Sequence, residues 1–353
     1  MQPKGPIVRK HSHNKIFGGV LGLPEALSPS PSFPLFLQNK PVLLFNARSC
    51  IKLVLDQIKP KRIWLPSYLT NDILVGINQK ITKMFYPVGF SLEISNDNFI
   101  NLIDHDDLFF FIDYFGFPFE KEILEEVKSR NCLLFRDCTQ ALFHNWKTDS
   151  CDYYIFAPRK FLGIPDGGIL YCKDELIFNQ SDFYRPHTDT MYKLFCSTLL
   201  RREFDIYGGD RKWFEFYQQG EAELIAGNQL MSDLSILLLK HAFDYEEIKR
   251  KRRLNYRILN KKLSKFAVFP DMDENVVPIG YPITLDNRDK VRRVLFKKKI
   301  YPPIHWDIQN IVPNNFIESH HLSQRIMTLP CDQRYNEDDM NFIADTFLGI
   351  INH

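Results

Sequence analysis

Two short apolar runs, Cys132–Phe135 and Tyr153–Phe156, each lead directly into ionisable residues, Asp137 after the first and Arg159–Lys160 after the second. Apolar runs of about four to eight residues read as buried strands. In open α/β sheets the ligand crevice lies off the carboxyl ends of the strands. This pattern therefore places Asp137 and Lys160 at one crevice, although 23 positions separate them. The glycine pair Gly167–Gly168 lets the chain turn tightly and re-enter the sheet through Ile169–Tyr171. Lys160 is then expected in a fixed loop rather than a helix.

An acid facing a lysine in a half-buried cleft has three common uses. It is a structural ion pair, an acid/base couple, or a grip on an aromatic cofactor. In the last case the lysine bonds a carbonyl carbon and the acid bonds a ring nitrogen, as pyridoxal phosphate requires. Spacing alone leaves all three open.

Composition narrows the class. A chain of 353 residues supports a large core and is expected to split into two lobes. With 45 basic against 43 acidic residues it lacks the basic excess of a nucleic-acid binder. Seven cysteines occur without any C-x-x-C pairing, several in apolar runs, which points to buried free thiols in a reducing compartment. No apolar run reaches membrane-spanning length, and MQPKGPIVRKHSHNK leads into no signal-type segment, so the expected location is the cytoplasm. His11, His13, His320 and His321 have no matching carboxylate array, and no metal is expected.

The chain divides into an irregular arm (1–40), a large cofactor-binding domain (41–243) and a small C-terminal domain (244–353). The arm, with its many prolines and Gly18–Gly19, reads as a surface segment. Val42–Phe45 reads as a strand and Ile51–Ile58 as the helix after it. The Asn46–Ser49 turn between them is a ready phosphate seat, with Ser49 as hydroxyl donor or as the helix cap. Arg62–Leu65, Lys83–Tyr86 and Leu108–Ile112 read as further strands, and Glu120–Arg130 as a helix. Residues 172–220 give no clear pattern. Arg185, Arg201 and Arg202 there are either phosphate contacts or solvated surface. Glu221–Lys240 and Tyr245–Leu263 read as helices, with Lys249–Arg253 as an exposed basic face. Val276–Ile283 reads as strand and Asp289–Lys298 as helix.

The order Phe135-Arg-Asp-Cys-Thr-Gln-Ala-Leu, a strand, Arg159–Lys160, then Gly167–Gly168 resembles the DegT/DnrJ/EryC1/StrS family of sugar aminotransferases. The resemblance implies an α/β, fold-type I pyridoxal-phosphate enzyme. Its large domain has a mostly parallel central sheet flanked by helices, and its C-terminal α+β domain is smaller. It places the family's Schiff-base lysine on Lys160, its ring-nitrogen aspartate on Asp137 and its glutamine on Gln140, near the ring oxygen or orienting Asp137. Arg48 and Ser49 fall on the phosphate turn, and Tyr68, or else Thr70, falls on the stacking position. Asn228 matches an asparagine lent across subunits, which implies a homodimer. His305 and Arg185 are substrate candidates. The implied substrate is a keto sugar, mostly nucleotide-linked, and the implied amino donor is glutamate or glutamine.

Three positions depart from the family pattern. Ala47 replaces a glycine, Leu230 replaces an arginine, and Ile155 stands where a phosphate-binding serine is common five positions before the lysine. Arg159 is the expected substitute for that charge. The departures keep a cofactor-free binding or scaffold role open. Lys160 argues against the lyase or dehydratase branch, whose members carry histidine there. No G-x-G-x-x-G turn supports a nucleotide-dependent oxidoreductase.

Overall fold

The computed structural model describes residues 15–27, 34–145, 151–174 and 180–352. After the two-residue strand β1 (Phe17–Gly18), the apolar runs become β2 (Val42–Leu44), β3 (Arg62–Pro66), β4 (Thr82–Tyr86), β5 (Asp107–Ile112), β6 (Leu133–Asp137), β7 (Tyr153–Phe156) and β8 (Gly168–Cys172). These seven strands form one sheet in the order β2-β8-β7-β6-β5-β3-β4. The neighbours among β3 to β7 pair in parallel, while β8 is antiparallel to both β7 and β2. Every residue of β5 is buried, as a parallel strand covered on both faces requires, and this explains the apolar run Leu108–Ile112.

Helices α1 (Ala47–Ile58), α2 (Asn71–Val75), α3 (Lys121–Lys128), α4 (Thr188–Tyr207), α5 (Lys212–Ala222) and α6 (Asp233–His241) accompany this sheet. The C-terminal part contributes α7 (Tyr245–Leu263), α8 (Arg288–Lys297), α9 (Ile317–Arg325) and α10 (Glu337–Ile351). Its strand β9 (Tyr281–Thr284) pairs antiparallel with β11 (Ile326–Leu329), and β10 (Ile300–Tyr301) pairs in parallel with β1. Among the described residues no helix is long and apolar enough to cross a membrane. All seven cysteines are free thiols.

Five readings of the sequence change. The described part of the arm is not a surface segment: Ile16, Phe17 and Leu21 are buried. The arginines expected to meet phosphate or solvent hold it in place. Arg201 is fully buried, donates to the Gly18 carbonyl at 3.1 Å and lies 4.6 Å from the Trp213 ring. Arg202 donates to the carbonyls of Pro24 and Glu25 at 3.2 and 3.1 Å.

The expected helix Glu221–Lys240 is two helices with an extended stretch between them. Phe45 N donates to the Gln229 carbonyl at 2.8 Å and Met231 N to the Leu43 carbonyl at 3.1 Å, so this stretch covers the outer edge of β2. An unpaired sheet edge outweighs helical propensity there. The basic face of α7 is only partly exposed. Arg252 is buried, donates to the carbonyls of Pro278 and Ile279 at 3.1 Å, and stacks 4.6 Å from the Phe161 ring beside Lys160. The strand expected at Val276–Ile283 begins only at Tyr281.

The glycine pair has a steric cause. A Cβ on Gly168 would lie 2.3 Å from the Asn46 carbonyl carbon, because β8 passes directly against the β2–α1 turn. Gly167 holds φ +144° and donates its N–H to the Phe45 carbonyl at 2.9 Å.

Candidate functional site

Asp137 is the last residue of β6, and Lys160 closes the short turn Pro158–Lys160 that follows β7. These strands are parallel neighbours, with Asp137 opposite Ile155. Both side chains therefore leave the same edge of the sheet. Thr139 joins them. Lys160 Nζ donates to Thr139 Oγ1 at 3.0 Å, and Thr139 N donates to Asp137 Oδ1 at 2.8 Å. Thr139 thus meets the carboxylate through its backbone N–H and the amine through its hydroxyl. The hydroxyl oxygen accepts from the amine while the backbone donates to the acid, so one threonine serves both partners.

Burial dominates the electrostatics. It raises the Asp137 carboxyl above the usual carboxylate range, against the opposing pull of Lys160 and the bonds from Thr139. Burial also lowers the Lys160 amine below an ordinary lysine, against the opposing charge of Asp137. The two facts fit one geometry. The amine is exposed to the cleft, yet protein walls surround it closely enough to strip much of its hydration. An exposed amine of depressed pKa is a nucleophile for carbonyl carbon.

The C-terminal part supplies one wall. Burial, and then the charge of Lys160, lowers the His305 imidazole to about 3, so it is neutral at any physiological pH. Its Nδ1 bonds Thr328 Oγ1 at 2.8 Å, and its ring meets Phe115 edge-on at 5.5 Å. Tyr68 does not present a ring face to the cleft: it is fully buried between Tyr114 and Trp306, at 6.0 and 5.7 Å. Its hydroxyl donates to the His305 carbonyl and accepts from Trp306 N, so it tethers the His305 loop to the end of β3. Stacking on a cofactor needs an open ring face, which Tyr68 lacks. Thr70, half-buried, caps α2 instead. Gln140 lies in a turn rather than a helix, and its side-chain oxygen accepts from Phe115 N at 2.7 Å. This bond fixes the Tyr114–Gly116 loop.

At the other end of the site the donors are already engaged. Asn46, not Ser49, caps α1, accepting from Ser49 N at 2.9 Å. Ser49 is buried, and its hydroxyl bonds the Asn46 side chain at 3.1 Å while receiving Gly227 N at 3.1 Å. Arg48 pairs with Asp72 at 3.1 Å. Arg159 meets Glu221 of α5 through both guanidinium nitrogens, Nη2 to Oε2 at 2.7 Å. Ile155 is a fully buried strand residue. Asn228 is half-buried in the stretch along β2, and its carbonyl accepts from Tyr184 N at 3.2 Å. Arg185 is on the surface, paired with Asp233.

The structure thus brings Asp137, Lys160 and His305 to one cleft, with Arg48 and Arg159 at the turns beside it, and leaves Arg185 on the surface. Sequence reasoning missed Thr139 and Glu221. It also missed the cluster beneath the site, where Asp113, Cys138 and His144 place ligand-type atoms within 4.8 Å of one another. Asp113 there already accepts from Arg136 Nε at 2.9 Å and Nη2 at 2.8 Å, so a cation is present as guanidinium. A cavity of about 900 Å³ lies elsewhere, lined by the arm, α4, α7 and the Gln333–Asp339 segment, without Lys160, Asp137 or Thr139.

The donor set fits a phosphorylated pyridine aldehyde at its ring end, with an amine for the aldehyde and a buried acid for the ring nitrogen. At the turns beside it, Arg48 and Arg159 offer positive charge.

No family model matches the sequence, and no curated protein matches it. Solved structures do match in shape. A protein of Streptococcus pneumoniae described as a candidate sugar aminotransferase, in its PLP-form, superposes with TM-score 0.65 at 15% identity over 92% of each chain. A DegT DnrJ EryC1 StrS aminotransferase from Brucella abortus gives 0.61 at 14% identity, over 88% of this chain and 85% of that one. NtdA from Bacillus subtilis, with bound cofactor PMP, gives 0.66 at 10% identity, over 93% and 79%. With its mixed central sheet flanked by helices, the chain has the fold-type I architecture that these solved structures share.

Proposed function

We propose that this protein is a pyridoxal-phosphate-dependent aminotransferase of the DegT/DnrJ/EryC1/StrS kind, moving an amino group from glutamate or glutamine to a keto sugar carried on a nucleotide. The observation that carries the reading is the line Asp137–Thr139–Lys160 at the carboxyl edge of β6 and β7. When bound, the cofactor supplies an electron sink that makes the donor's alpha proton acidic. Asp137 would accept a hydrogen bond from the protonated ring nitrogen, a cation that also satisfies its buried charge. Lys160 would hold the cofactor aldehyde and, once released, take and return a proton at its own nitrogen. Thr139 keeps the amine and the carboxylate in fixed register. The neutral His305, with Nδ1 engaged by Thr328, has its other nitrogen for a sugar hydroxyl. Asn228 would act on a partner subunit's site in a two-fold dimer. Arg185 takes no part in this reading.

The test is the donor half-reaction. Purified protein loaded with pyridoxal phosphate is given glutamate, and cofactor absorbance and 2-oxoglutarate are followed. The reading expects both to change in the wild type and neither in Lys160→Ala. Binding without conversion would instead favour a catalytically inactive member, and no binding at all the cofactor-free scaffold reading, which the apolar Ile155 at its fully buried strand position supports.

A further inference from the structure

We propose that Arg159 is the anion-recognition residue of this cleft, and that Glu221 is a built-in carboxylate competitor occupying it until a phosphate group displaces it. The proposal rests on the cofactor reading and adds the device by which the phosphate is received.

The residues beside Lys160 leave little choice of donor. Ile155 has no polar atom to give, and the Ser49 hydroxyl already takes the Gly227 N–H and bonds Asn46. Arg48 is half-buried and pairs with Asp72, a largely exposed carboxylate. Arg159 directly precedes Lys160 in the same tight turn, where Lys160 N donates to the Ala157 carbonyl at 3.0 Å. A ligand joined to Lys160 therefore comes within reach of the neighbouring guanidinium.

The pairing itself shows what Arg159 recognises. Two guanidinium nitrogens meet two oxygens of Glu221, the fork geometry that matches carboxylate and phosphate alike. Both side chains are about a quarter exposed, at 24% and 26%, so the pair lies at the cleft surface and can open. Glu221 is the penultimate residue of α5, at a helix end. A phosphate monoester carries roughly −1.5 to −2 charge at neutral pH, against −1 for the carboxylate, and so outcompetes it for one guanidinium. The negative charge of Glu221 also holds Arg159 charged despite its surroundings.

Two probes separate the phosphate from the aldehyde: pyridoxal 5′-phosphate and unphosphorylated pyridoxal. Each is titrated by absorbance into wild type, Glu221→Gln, Arg159→Gln and the double variant. Inorganic phosphate is titrated by calorimetry into the same forms, which reads the anion site without the aldehyde. Removing the competitor in Glu221→Gln is expected to tighten pyridoxal phosphate and inorganic phosphate by about tenfold, leaving pyridoxal unchanged. Arg159→Gln is expected to weaken both phosphates by about ten- to a hundredfold, the worth of a hydrogen-bonded charge. The double variant should behave as Arg159→Gln. Arg159→Lys, which keeps the charge without the fork, should fall between.

Phosphate affinities that ignore Glu221→Gln, or an Arg159→Gln loss shared equally by pyridoxal, would overturn the proposal. Failure of the cofactor reading looks different: pyridoxal then forms no adduct at Lys160 in any form, whatever inorganic phosphate does.

Discussion

The buried pair under the site gives the sharpest stability test. Asp113 has no exposed surface and accepts from Arg136 Nε and Nη2, from Phe119 N at 3.0 Å and from Cys138 Sγ at 3.6 Å. Arg136 is 3% exposed. Asp113→Ala strands that guanidinium in the interior, and breaking a buried pair from one side costs about 3–5 kcal/mol. Unfolding entropy of about 2.1 cal/mol/K per residue sets the thermal scale for a chain of 353 residues. A loss of about 4 kcal/mol then lowers Tm by about 5 °C. The double replacement Asp113→Leu with Arg136→Met removes both charges and should recover most of the loss, since apolar substitutes for a buried pair are often neutral. Urea unfolding and calorimetry on the wild type, Asp113→Leu, Arg136→Met and the double variant close the cycle. A single-variant cost under about 1 kcal/mol, or a double variant as unstable as the two losses added, would refute the reasoning. Chelator should leave the wild-type midpoint unchanged, because arginine rather than a metal balances Asp113.

The amine must lose a proton before it attacks an aldehyde, and burial lowers Lys160. The rate of cofactor uptake should therefore rise with pH through a midpoint below the roughly 10.4 of a free lysine. Asp137→Asn, by removing the charge that opposes this shift, should move the midpoint lower still; stopped-flow absorbance reads both. Gly168→Ala drives a Cβ to 2.3 Å from the Asn46 carbonyl carbon, between two backbones that cannot rotate away. A loss of about 3 kcal/mol or more, with weakened cofactor binding, is expected in denaturant and titration experiments. Arg252→Met removes the bonds to the carbonyls of Pro278 and Ile279 while keeping the stem. About 2 kcal/mol of stability should go, measured by urea unfolding, together with faster amide exchange around Phe161.

Much of the sheet was legible because parallel strands buried on both faces carry short apolar runs, Leu108–Ile112 in β5, Leu133–Phe135 in β6 and Tyr153–Phe156 in β7. The same regularity put Asp137 and Lys160 at one edge. Helix α4 escaped because the face it buries includes Thr190, Ser197, Thr198 and Arg201, which leave no apolar stripe to read. Glu221 escaped for another reason: it meets Arg159 across 62 positions, on a helix whose placement spacing alone does not determine. Tyr68 looked like a stacking residue from its place after a strand, yet its hydroxyl has the more demanding task of bridging His305 and Trp306. Thr139 was within the quoted motif. Its role appears only once the turn after β6 sets its backbone N–H on the acid and its hydroxyl under the amine.

Borohydride trapping followed by peptide mapping bears most directly on the covalent chemistry assigned here. Wild-type protein mixed with pyridoxal phosphate and reduced should carry one phosphopyridoxyl group, on the peptide containing Lys160. The label should be absent after Lys160→Ala, and the visible band before reduction should be shifted after Asp137→Asn. Label spread over surface lysines, with Lys160 unmodified, would contradict the account.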